Sequence, residues 1–249
     1  MQTCAIVTGH SRGLGAAIVD ELLRQGIPTL GLSRSAVGKP ADVPAGRFDE
    51  VALDLRDLDA LRAWLAGPRL ANWVIGRQQV LLINNAGTVE PMGPLSVQTP
   101  LAVAEAVSLN VAAPLMLSAA LAAIEAPGQQ RRILHVSSGA ARTPYSGWSV
   151  YCATKAALDQ HARAASLDQV PDLRICSLAP GVIDTAMQAS LRDVDPARFA
   201  MRARFEQLHR EGLLSSPADC ARRLVAYLLS EAFGEQPAAD LRQLTQSAP

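Results

Sequence analysis

The chain contains few of the residues that build disulfide frameworks and metal centres. It has four cysteines and four histidines among 249 residues. The cysteines lie far apart and without a CxxC spacing, at Cys4, Cys152, Cys176 and Cys220. Scattered thiols of this kind are typical of reduced side chains, and dispersed histidines provide no ligand cluster. The sequence therefore predicts neither disulfides nor a metal site.

An excess of either charge is also missing. The 23 basic and 23 acidic residues cancel and are spread along the chain. Because nucleic acids and anionic membranes attract basic surfaces, we predict neither as a partner and expect a small molecule instead. The apolar stretches, such as 111–124, are interpreted as too short or too interrupted to cross a bilayer. Since residues 1–3 lead into an apolar strand without a signal pattern, we expect a cytoplasmic protein.

Apolar residues, by contrast, make up 49% of the chain, enough to bury a large core. Short apolar strands alternate with helical patterns, and no composition shift marks a second domain. Strands are predicted at 3–8, 29–33, 51–54, 80–84, 133–137 and 173–178, and helices at 16–24, 57–65, 101–124 and 151–167. The alternation predicts the α/β class: one Rossmann-like domain, 1–249, with a doubly wound parallel sheet and helices on both faces.

A glycine-rich turn separates the first predicted strand from the first predicted helix. Gly9, Gly13 and Gly15 permit a sharp turn and a close approach of the backbone to a ligand. The N-terminus of the following helix attracts anions, so a dinucleotide phosphate suits this turn. Glycines also end strands for purely structural reasons, and this turn alone leaves both interpretations open.

Further candidate residues directly follow the other predicted strands, where doubly wound sheets bind their ligands. They include Ser33, Arg34, Asp54, Leu55, Asn84, Asn85, Ala86, Gly87, Ser137, Ser138, Pro180 and Gly181. Downstream, Tyr151 and Lys155 are four residues apart in a helical pattern, which puts both side chains on one helical face. The sequence therefore predicts a site that combines a nucleotide cradle with a proton-transfer pair.

Taken together, these motifs resemble the short-chain dehydrogenase/reductase family along essentially the whole chain. The resemblance is carried by Thr8-Gly9-x-x-x-Gly13-x-Gly15, Asn84-Asn85-Ala86-Gly87, Ser138, Tyr151-x-x-x-Lys155 and Pro180-Gly181-x-x-x-Thr185. It implies a cofactor of the NAD(P) type and chemistry between a carbonyl and an alcohol. The implied cofactor contacts are Gly9, Ser11, Arg12, Gly13, Leu14, Gly15, Ser33, Arg34, Asp54, Leu55, Asn85, Ala86, Gly87, Tyr151, Lys155, Pro180, Gly181, Ile183 and Thr185.

Carbonyl reduction explains why the catalytic residues are of these types. Negative charge grows on the substrate oxygen, which must be polarised and then protonated. Tyr151 is the predicted acid, and the Lys155 ammonium is expected to lower the phenol pKa from about 10. Ser138 is expected to donate a hydrogen bond to the substrate oxygen, while Asn110 resembles the family asparagine that holds a relay water. The alternatives are a Tyr and Lys on an ordinary helix surface, a strand-end serine and a helix-terminal asparagine.

The choice of cofactor is predicted from charge. Enzymes that use NAD commonly have an acidic residue after the second strand, which binds the ribose 2′-hydroxyl. Ser33 and Arg34 stand there instead, and Arg12 lies in the glycine turn. Because guanidinium groups suit phosphate, we predict NADP(H). The alternative is that Arg34 is a solvated loop residue. Asp54 and Leu55 resemble the family pair that contacts the adenine, and the alternative for Asp54 is a helix cap.

Within the family, the sequence is most similar to the sepiapterin reductase and benzil reductase branch. The similarity lies in Gly147-Trp148-Ser149-Val150-Tyr151-Cys152 and in Pro180-Gly181-Val182-Ile183-Asp184-Thr185-x-Met187-Gln188. It implies NADPH-dependent reduction of one ketone of a vicinal dicarbonyl, either a benzil-like diketone or a pterin side chain. The predicted substrate contacts are Ser138, Trp148, Gly181, Met187 and Asp240.

Asp240 has two interpretations, a substrate contact and a surface residue. It falls where pterin-reducing members carry an aspartate that anchors the pterin ring. Its surroundings, Ala238-Ala239-Asp240-Leu241-Arg242, depart from the His-Val-Asp-Phe-Tyr pattern of the animal enzymes. The alternative is a solvated aspartate near the C-terminus.

The segment 187–212 interleaves charged and apolar residues after the last crevice strand. It is predicted to be a helical flap that closes over the nicotinamide, the alternative being a helix pair that simply buries its apolar side. The alanine-rich helices 101–124 and 151–167 predict a homodimer or homotetramer, as family members commonly form. Other functions stay open: a 3-oxoacyl reductase, an alcohol dehydrogenase or a catalytically silent NADP-sensing regulator.

Overall fold

A single parallel sheet organises the molecule. The computed structural model describes residues 3–38, 43–195, 199 and 201–244, and this part of the chain contains seven strands. They are β1 (Thr3–Thr8), β2 (Thr29–Ser33), β3 (Phe48–Ala52), β4 (Gln79–Asn84), β5 (Gln130–Val136), β6 (Leu173–Ala179) and β7 (Ala238–Asp240). Their order is β3-β2-β1-β4-β5-β6-β7. Because the direction of winding reverses between β1 and β4, a crevice opens at the carboxyl ends of these strands.

Helices connect the strands and cover both faces of the sheet. They are α1 (Gly13–Arg24), α2 (Leu58–Ala66), α3 (Arg69–Val74), α4 (Pro100–Val107), α5 (Ala113–Ala122), α6 (Ser149–Leu167), α7 (Ala186–Asp193), α8 (Arg202–Arg210), α9 (Pro217–Leu229) and α10 (Leu241–Leu244). A π-helical turn, Ser108–Ala112, joins α4 to α5, and 3₁₀ turns lie at Leu95–Val97 and Gly139–Ala141. The predicted doubly wound, Rossmann-like sheet is confirmed.

The strands are apolar on both sides, which explains why two helical layers form. Ala5 and Val7 of β1 face a core that includes Leu22 of α1 and residues of α9. Cys4 and Ile6, which alternate with them, face a second core formed with α2, α5 and α6. Each fully buried leucine or isoleucine stabilises this packing by roughly 1.5–3 kcal/mol. The sheet is thereby held rigid beneath the crevice.

The edges of the sheet differ from the sequence prediction. The prediction of a strand at 51–54 is wrong in position, because β3 spans Phe48–Ala52 and includes Asp49 and Glu50. An edge strand is half-exposed and tolerates such charges, so it lacks the continuous apolar run that marks the inner strands. The opposite edge strand, β7, is absent from the prediction. It has three residues and pairs only with β6, too short to show a period.

Two buried arginines fasten the other end of the sheet to the helices. The side chain of Arg131 donates hydrogen bonds to the carbonyl oxygens of Ala122 and Ile124, at 2.8 and 2.5 Å. Arg132 donates to those of Leu228 and Ser230, both at 2.7 Å. The last carbonyls of a helix lack partners within the helix and carry partial negative charge. The two arginines therefore cap the C-termini of α5 and α9 from within β5.

The helical segment 101–124 was predicted as one helix, and it contains a local irregularity. A π-helical turn at 108–112 interrupts it. The segment Pro100–Ala122 is nevertheless long and apolar enough to cross a membrane, with a mean hydropathy of 1.6, and it is the one such segment within the described residues. The interpretation of this region as too short or interrupted is therefore wrong on length and composition. Core helices of soluble proteins pass the same test, and Ala113, Leu117 and Leu121 of this segment are buried against the sheet.

Candidate functional site

The loop from β1 to α1 has the shape of a phosphate cradle. Gly9 has a φ of 68°, and a Cβ on it would lie 2.9 Å from the Cα of Ala86. A Cβ on Gly15 would collide with the carbonyl of Gly9. Arg12 precedes α1 without capping it through its side chain, and no acidic residue lies in the first helical turn. The N–H groups at this helix end therefore suit an anion. The predicted contacts Ser11, Gly13 and Leu14 belong to the same turn.

The end of β4 forms the second wall of this cradle. The side-chain amide of Asn85 donates to the carbonyl oxygens of Thr8 and Gly9, at 2.9 and 3.2 Å. In return, the Thr8 hydroxyl accepts hydrogen bonds from the backbone N–H groups of Asn85 and Ala86, at 3.0 and 2.9 Å. These bonds fix the glycine turn against β4. Residues 85–87 thus form one wall of the cradle, the cofactor wall.

The predicted catalytic side chains converge at the ends of β4 and β5. Tyr151 and Lys155 lie on α6, with the lysine Nζ 5.7 Å from the centre of the tyrosine ring. Ser138 follows β5, and its side chain is close enough to Tyr151 to oppose the rise of the phenol pKa. Lys155 donates a hydrogen bond of 2.7 Å to the carbonyl of Val136. A Cβ on Gly87 would lie 3.7 Å from the lysine Nζ, so the cofactor wall runs beside the lysine.

Burial dominates the electrostatics of this group. Loss of water raises the pKa of Tyr151, and the Ser138 side chain only partly opposes this shift. Burial also lowers the pKa of Lys155 to about 8, while the nearby Asp159 carboxylate raises it. The expectation that the lysine holds the phenol pKa below its ordinary value is wrong for this structure, because both groups are desolvated together. Tyr151 therefore stays protonated at neutral pH.

Asn110 lies in the π-helical turn and is fully buried. Its Oδ1 accepts from the N–H of Thr88 at 2.8 Å, and its Nδ2 donates to the carbonyl of Thr88 at 2.8 Å and to the hydroxyl of Thr154 at 3.1 Å. The wider turn directs this asparagine between the segment after β4 and α6. Asn110 therefore joins the two elements that carry the cofactor wall and the Tyr151 group.

The region after β2 contains the residues predicted to choose the cofactor. Arg34 and Arg12 are both exposed, and the hydroxyl of Ser33 donates to the carbonyl of Ser35 at 2.7 Å. The loop is held by Glu50 of β3, which accepts hydrogen bonds from the backbone N–H groups of residues 37 and 38 at 2.9 and 2.8 Å. Two exposed arginines thus follow β1 and β2 on the side of the sheet where the strands end.

Asp54 and Leu55, the predicted adenine contacts, follow β3. The Asp54 carboxylate accepts three side-chain hydrogen bonds from Arg56, between 2.7 and 3.1 Å. These bonds, together with the charges of Arg56 and Arg34, lower the pKa of Asp54. Leu55 is buried. The cap of α2 is Asp57, which accepts from Ala60, so Asp54 is not a helix cap.

The segment after β6 faces the glycine turn. Gly181 has a φ of 91°, and Ile183 forms an isolated bridge with Ser215. The hydroxyl of Thr185 caps α7, and its methyl carbon lies 3.4 Å from where a Cβ on Gly13 would be. The predicted Pro180–Thr185 segment therefore closes the crevice from the side opposite β4.

An aromatic cluster covers Tyr151. The Trp148 ring lies 5.0 Å from that of Tyr151, 4.9 Å from Phe199 and 5.5 Å from Phe205, measured between centroids. Tyr145 packs edge-on against Trp148 at 5.8 Å. Phe199 and Phe205 belong to the predicted flap 187–212, of which residues 196–198 and 200 lie outside the described residues. Phe199 and Phe205 thus pack against Trp148, which in turn contacts Tyr151.

Two other predicted substrate contacts lie differently. Met187 is exposed and lies outside the aromatic cluster. Asp240 is buried, but its carboxylate accepts hydrogen bonds of 2.9 and 2.6 Å from the guanidinium of Arg242. The aliphatic part of Arg242 lies about 3.5 Å from where a Cβ on Gly181 would be. The Asp240 carboxylate is therefore close to the crevice and already paired, and it is not a solvated terminal residue.

Comparison with known proteins identifies the family. A family model described as short chain dehydrogenase matches residues 3–195. The chain belongs to the short-chain dehydrogenase family. This short-chain dehydrogenase is 32% identical to "Benzil reductase ((S)-benzoin forming)" of Bacillus cereus over 92% of its length and 94% of the relative's. It is 33% identical to the sepiapterin reductase of Meriones unguiculatus, with 92% and 93% covered. The resemblance to the family and to this branch is confirmed.

Solved structures agree with this assignment. The crystal structure of a short-chain dehydrogenase/reductase from Burkholderia vietnamiensis is 50% identical, covers 98% of both chains and superposes with a TM-score of 0.71. The structure of the KRED1-Pglu enzyme is 27% identical with a TM-score of 0.80 and covers 95% of this chain and 99% of its own. The protein is therefore an oxidoreductase of this family, related to a benzil reductase and to a sepiapterin reductase.

Several residues of this short-chain dehydrogenase site escape the sequence prediction. The buried Asp159 forms an ion pair of 3.0 Å with the partly exposed Arg142 behind the catalytic group, and Arg242 pairs with Asp240. Asp159 follows Lys155 by one helical turn, and this spacing is a signal that sequence inspection could have used. The partner of Arg142 lies 17 residues away, so no local pattern reveals that pair. Asp240 lies only two residues before Arg242, and the folded structure shows that the two side chains pair.

Proposed function

We propose that this short-chain dehydrogenase reduces one carbonyl of a vicinal dicarbonyl to an alcohol, with NADPH as the reductant and Tyr151 as the proton donor. The observation that carries the proposal is the convergence of Tyr151, Ser138 and Lys155 beside the glycine turn. The relatedness to a benzil reductase and a sepiapterin reductase supports the choice of a dicarbonyl.

Each side chain has a distinct task in this proposal. NADPH, when bound in the cradle of the glycine turn, supplies the hydride. The Ser138 hydroxyl donates a hydrogen bond to the reacting oxygen, and the Tyr151 hydroxyl transfers its proton to that oxygen as negative charge develops. The Lys155 ammonium stabilises the phenolate that remains, and Asn110 aligns α6 with the cofactor wall. Reprotonation of Tyr151 then restores the starting state.

NADPH is favoured over NADH because Arg12 and Arg34 are exposed at the crevice and no carboxylate follows β2 directly. Both guanidinium groups are permanently charged, so they would bind a 2′-phosphate without a change in protonation and without rearrangement of the core. The Asp54 carboxylate is paired with Arg56, which reduces its repulsion of such a phosphate. This arrangement would accept the phosphate better than the bare ribose hydroxyl.

An aryl diketone of the benzil type fits better than a pterin. Trp148 lies against Tyr151 and is backed by Phe199 and Phe205, and aromatic pairs are favourable beyond their buried area. The Trp148 indole N–H is buried and has no partner among the described residues, so it is a donor for the second carbonyl. A pterin would need the Asp240 carboxylate, which Arg242 already occupies. We assign Gly181 and Met187 to the outer rim of this pocket.

Domain organisation, cellular location and assembly belong to the same proposal. The chain is one domain, residues 1–249, with 187–212 as a flap that excludes water from the proton transfer. It acts in the cytoplasm on a small molecule, without nucleic acid or membrane. It forms a homodimer or homotetramer through α4, α5 and α6, because most of the apolar segment Pro100–Ala122 is not fully buried within one chain.

The test is oxidation of NADPH followed by absorbance with benzil, sepiapterin and a simple monoketone. We expect benzil to be reduced with the highest kcat/KM. Tight NADPH binding without turnover of any carbonyl would instead support a sensing regulator. Preference for a 3-oxoacyl thioester, or for oxidation of an alcohol, would support the other members of the same family.

A further inference from the structure

Asp159 is a buried carboxylate on the same side of α6 as Lys155, one helical turn further along. It is 1% exposed. A carboxylate that leaves water is costly unless hydrogen bonds and charges replace its hydration. The groups that replace it therefore indicate why the residue lies there.

The oxygens of Asp159 tie together the backbone on both sides of Ser138. Oδ1 accepts hydrogen bonds from the hydroxyls of Ser137 and Ser177, at 2.7 and 2.8 Å. Oδ2 accepts from the Nε of Arg142 at 3.0 Å. Ser137 immediately precedes Ser138, and Arg142 ends the 3₁₀ turn that Ser138 caps. One carboxylate thus holds the start and the end of the loop that carries the Ser138 hydroxyl.

The same carboxylate also acts on Lys155 through charge. It opposes the effect of burial on the lysine pKa. Tyr151, also on α6, faces Lys155. His135 of β5 lies close enough to Lys155 that an imidazolium and the ammonium would repel each other. Arg142 reaches Asp159 from the 3₁₀ turn and compensates part of its charge. Asp159 is therefore the negative group that favours the ammonium form.

We propose that Asp159 is a positioning residue for proton transfer, which orients Ser138 toward Tyr151 and supplies the negative charge behind the Lys155 ammonium. This inference rests on the proposed function, since that function gives Ser138 and Lys155 their roles. A carboxylate that merely fastened β5 to β6 would need its acceptor oxygens and not its charge. The two roles differ in what happens when only the charge is removed.

The variant Asp159→Asn makes this separation. The amide keeps an acceptor oxygen for Ser137 and Ser177 but carries no charge. We expect the Lys155 pKa, followed by NMR titration of the lysine side chain in the intact protein, to fall by about one pH unit or more. The alkaline limb of kcat/KM for benzil reduction should move to lower pH by the same amount, with KM little changed at pH 6.

Two further variants sharpen the test. Arg142→Gln leaves the Asp159 charge without compensation, so the Lys155 pKa should rise, opposite to its change in Asp159→Asn. Asp168→Asn removes an exposed carboxylate at the end of the same helix and should leave the Lys155 pKa and the pH profile unchanged. General damage to the fold would not produce shifts of opposite sign.

An unchanged Lys155 pKa in Asp159→Asn, or shifts of the same sign in both site variants, would overturn the proposal. If Asp159→Asn does not fold, Arg142→Gln decides, and a Lys155 pKa that does not rise contradicts the charge role. Failure of the wild-type protein to reduce any dicarbonyl would reject the proposed function separately, because the NMR titration needs no substrate.

Discussion

Tyr151 and Lys155 differ from ordinary helix residues in losing nearly all contact with water. The tyrosine is 9% and the lysine 5% exposed. Desolvation disfavours the phenolate and the ammonium alike. Both Tyr151 and Lys155 therefore favour their neutral forms more strongly than they would in water. A protonated phenol beside a lysine with a pKa of about 8 suits proton donation at neutral pH. This balance depends on depth, which spacing along the sequence does not reveal.

The phenol proton can be tested by Tyr151→Phe. The ring still packs against Trp148, so the fold and NADPH affinity should be retained. Loss of a general acid commonly costs 10²–10⁴-fold, and we expect kcat for benzil reduction to fall by about 100-fold or more. Steady-state kinetics and NADPH titration measure the two quantities. Turnover close to that of the wild type would remove Tyr151 from the mechanism.

The phosphate contact proposed for Arg34 can be tested by Arg34→Ala. Loss of a charge-assisted hydrogen bond should weaken NADPH binding by roughly 10- to 100-fold, while NADH binding should change little. Fluorescence titration with both nucleotides gives the dissociation constants. Arg62→Ala, which removes an exposed arginine of α2, is the matched control. Equal weakening of both nucleotides would mean that Arg34 does not contact the 2′-phosphate.

At the scale of elements, helix ends receive their partners from distant parts of the chain. α1 has no side-chain cap at its N-terminus and leaves its N–H groups for a ligand. The C-termini of α5 and α9 are capped from within β5 by Arg131 and Arg132. Unpaired backbone groups at helix ends thus serve ligand binding where the strands end and stability where the strands begin.

The stabilising role of Arg132 can be measured with Arg132→Met. Methionine fills much of the space but leaves the carbonyls of Leu228 and Ser230 without their donor. Two buried acceptors that lose their partners should lower the free energy of unfolding by roughly 2–4 kcal/mol. Urea unfolding monitored by circular dichroism gives this value, with Arg62→Met as the exposed control. A loss of under about 0.5 kcal/mol would show that water replaces the guanidinium.

At the scale of the whole molecule, a buried polar chain crosses between the sheet and two helices. Asn84 of β4 is hydrogen-bonded to Ser118 of α5 at 3.4 Å and to His135 of β5 at 3.1 Å. His135 in turn lies 3.1 Å from a ring nitrogen of His161 on α6. Burial lowers the pKa of His135 to about 3. The folded protein therefore keeps this imidazole neutral where the unfolded chain would protonate it.

This difference predicts how stability depends on pH. Between about pH 6.5 and 3, His135 is protonated in the unfolded chain but stays neutral in the folded protein. Stability is therefore fully present above pH 6.5 and declines as the pH falls, by up to about 1.4 kcal/mol per pH unit from this group. Urea unfolding between pH 4 and 7 should give a shallower decline for His135→Gln than for the exposed control His209→Gln. Identical slopes would contradict the prediction.

Assembly is the second prediction at this scale. Because the segment Pro100–Ala122 is apolar and a large part of it is not buried within one chain, association should cover it. Sedimentation velocity at micromolar concentration should give the mass of a dimer or tetramer. Leu101→Glu, which charges an exposed leucine of α4, should shift the protein toward the monomer. A wild-type monomer under these conditions would reject the association.

The amino-acid sequence by itself determined the parallel sheet, the glycine turn and the pairing of Tyr151 with Lys155, because apolar periodicity and four-residue spacing act over short distances. Only the tertiary structure decided that Arg142 meets Asp159, that the Asp159 carboxylate accepts from Ser137 and Ser177 beside Ser138, and that burial raises the pKa of Tyr151. These properties depend on which distant segments meet and on how much water they exclude. Hydration and long-range contact are properties of the folded chain, and a local pattern of residues does not determine them.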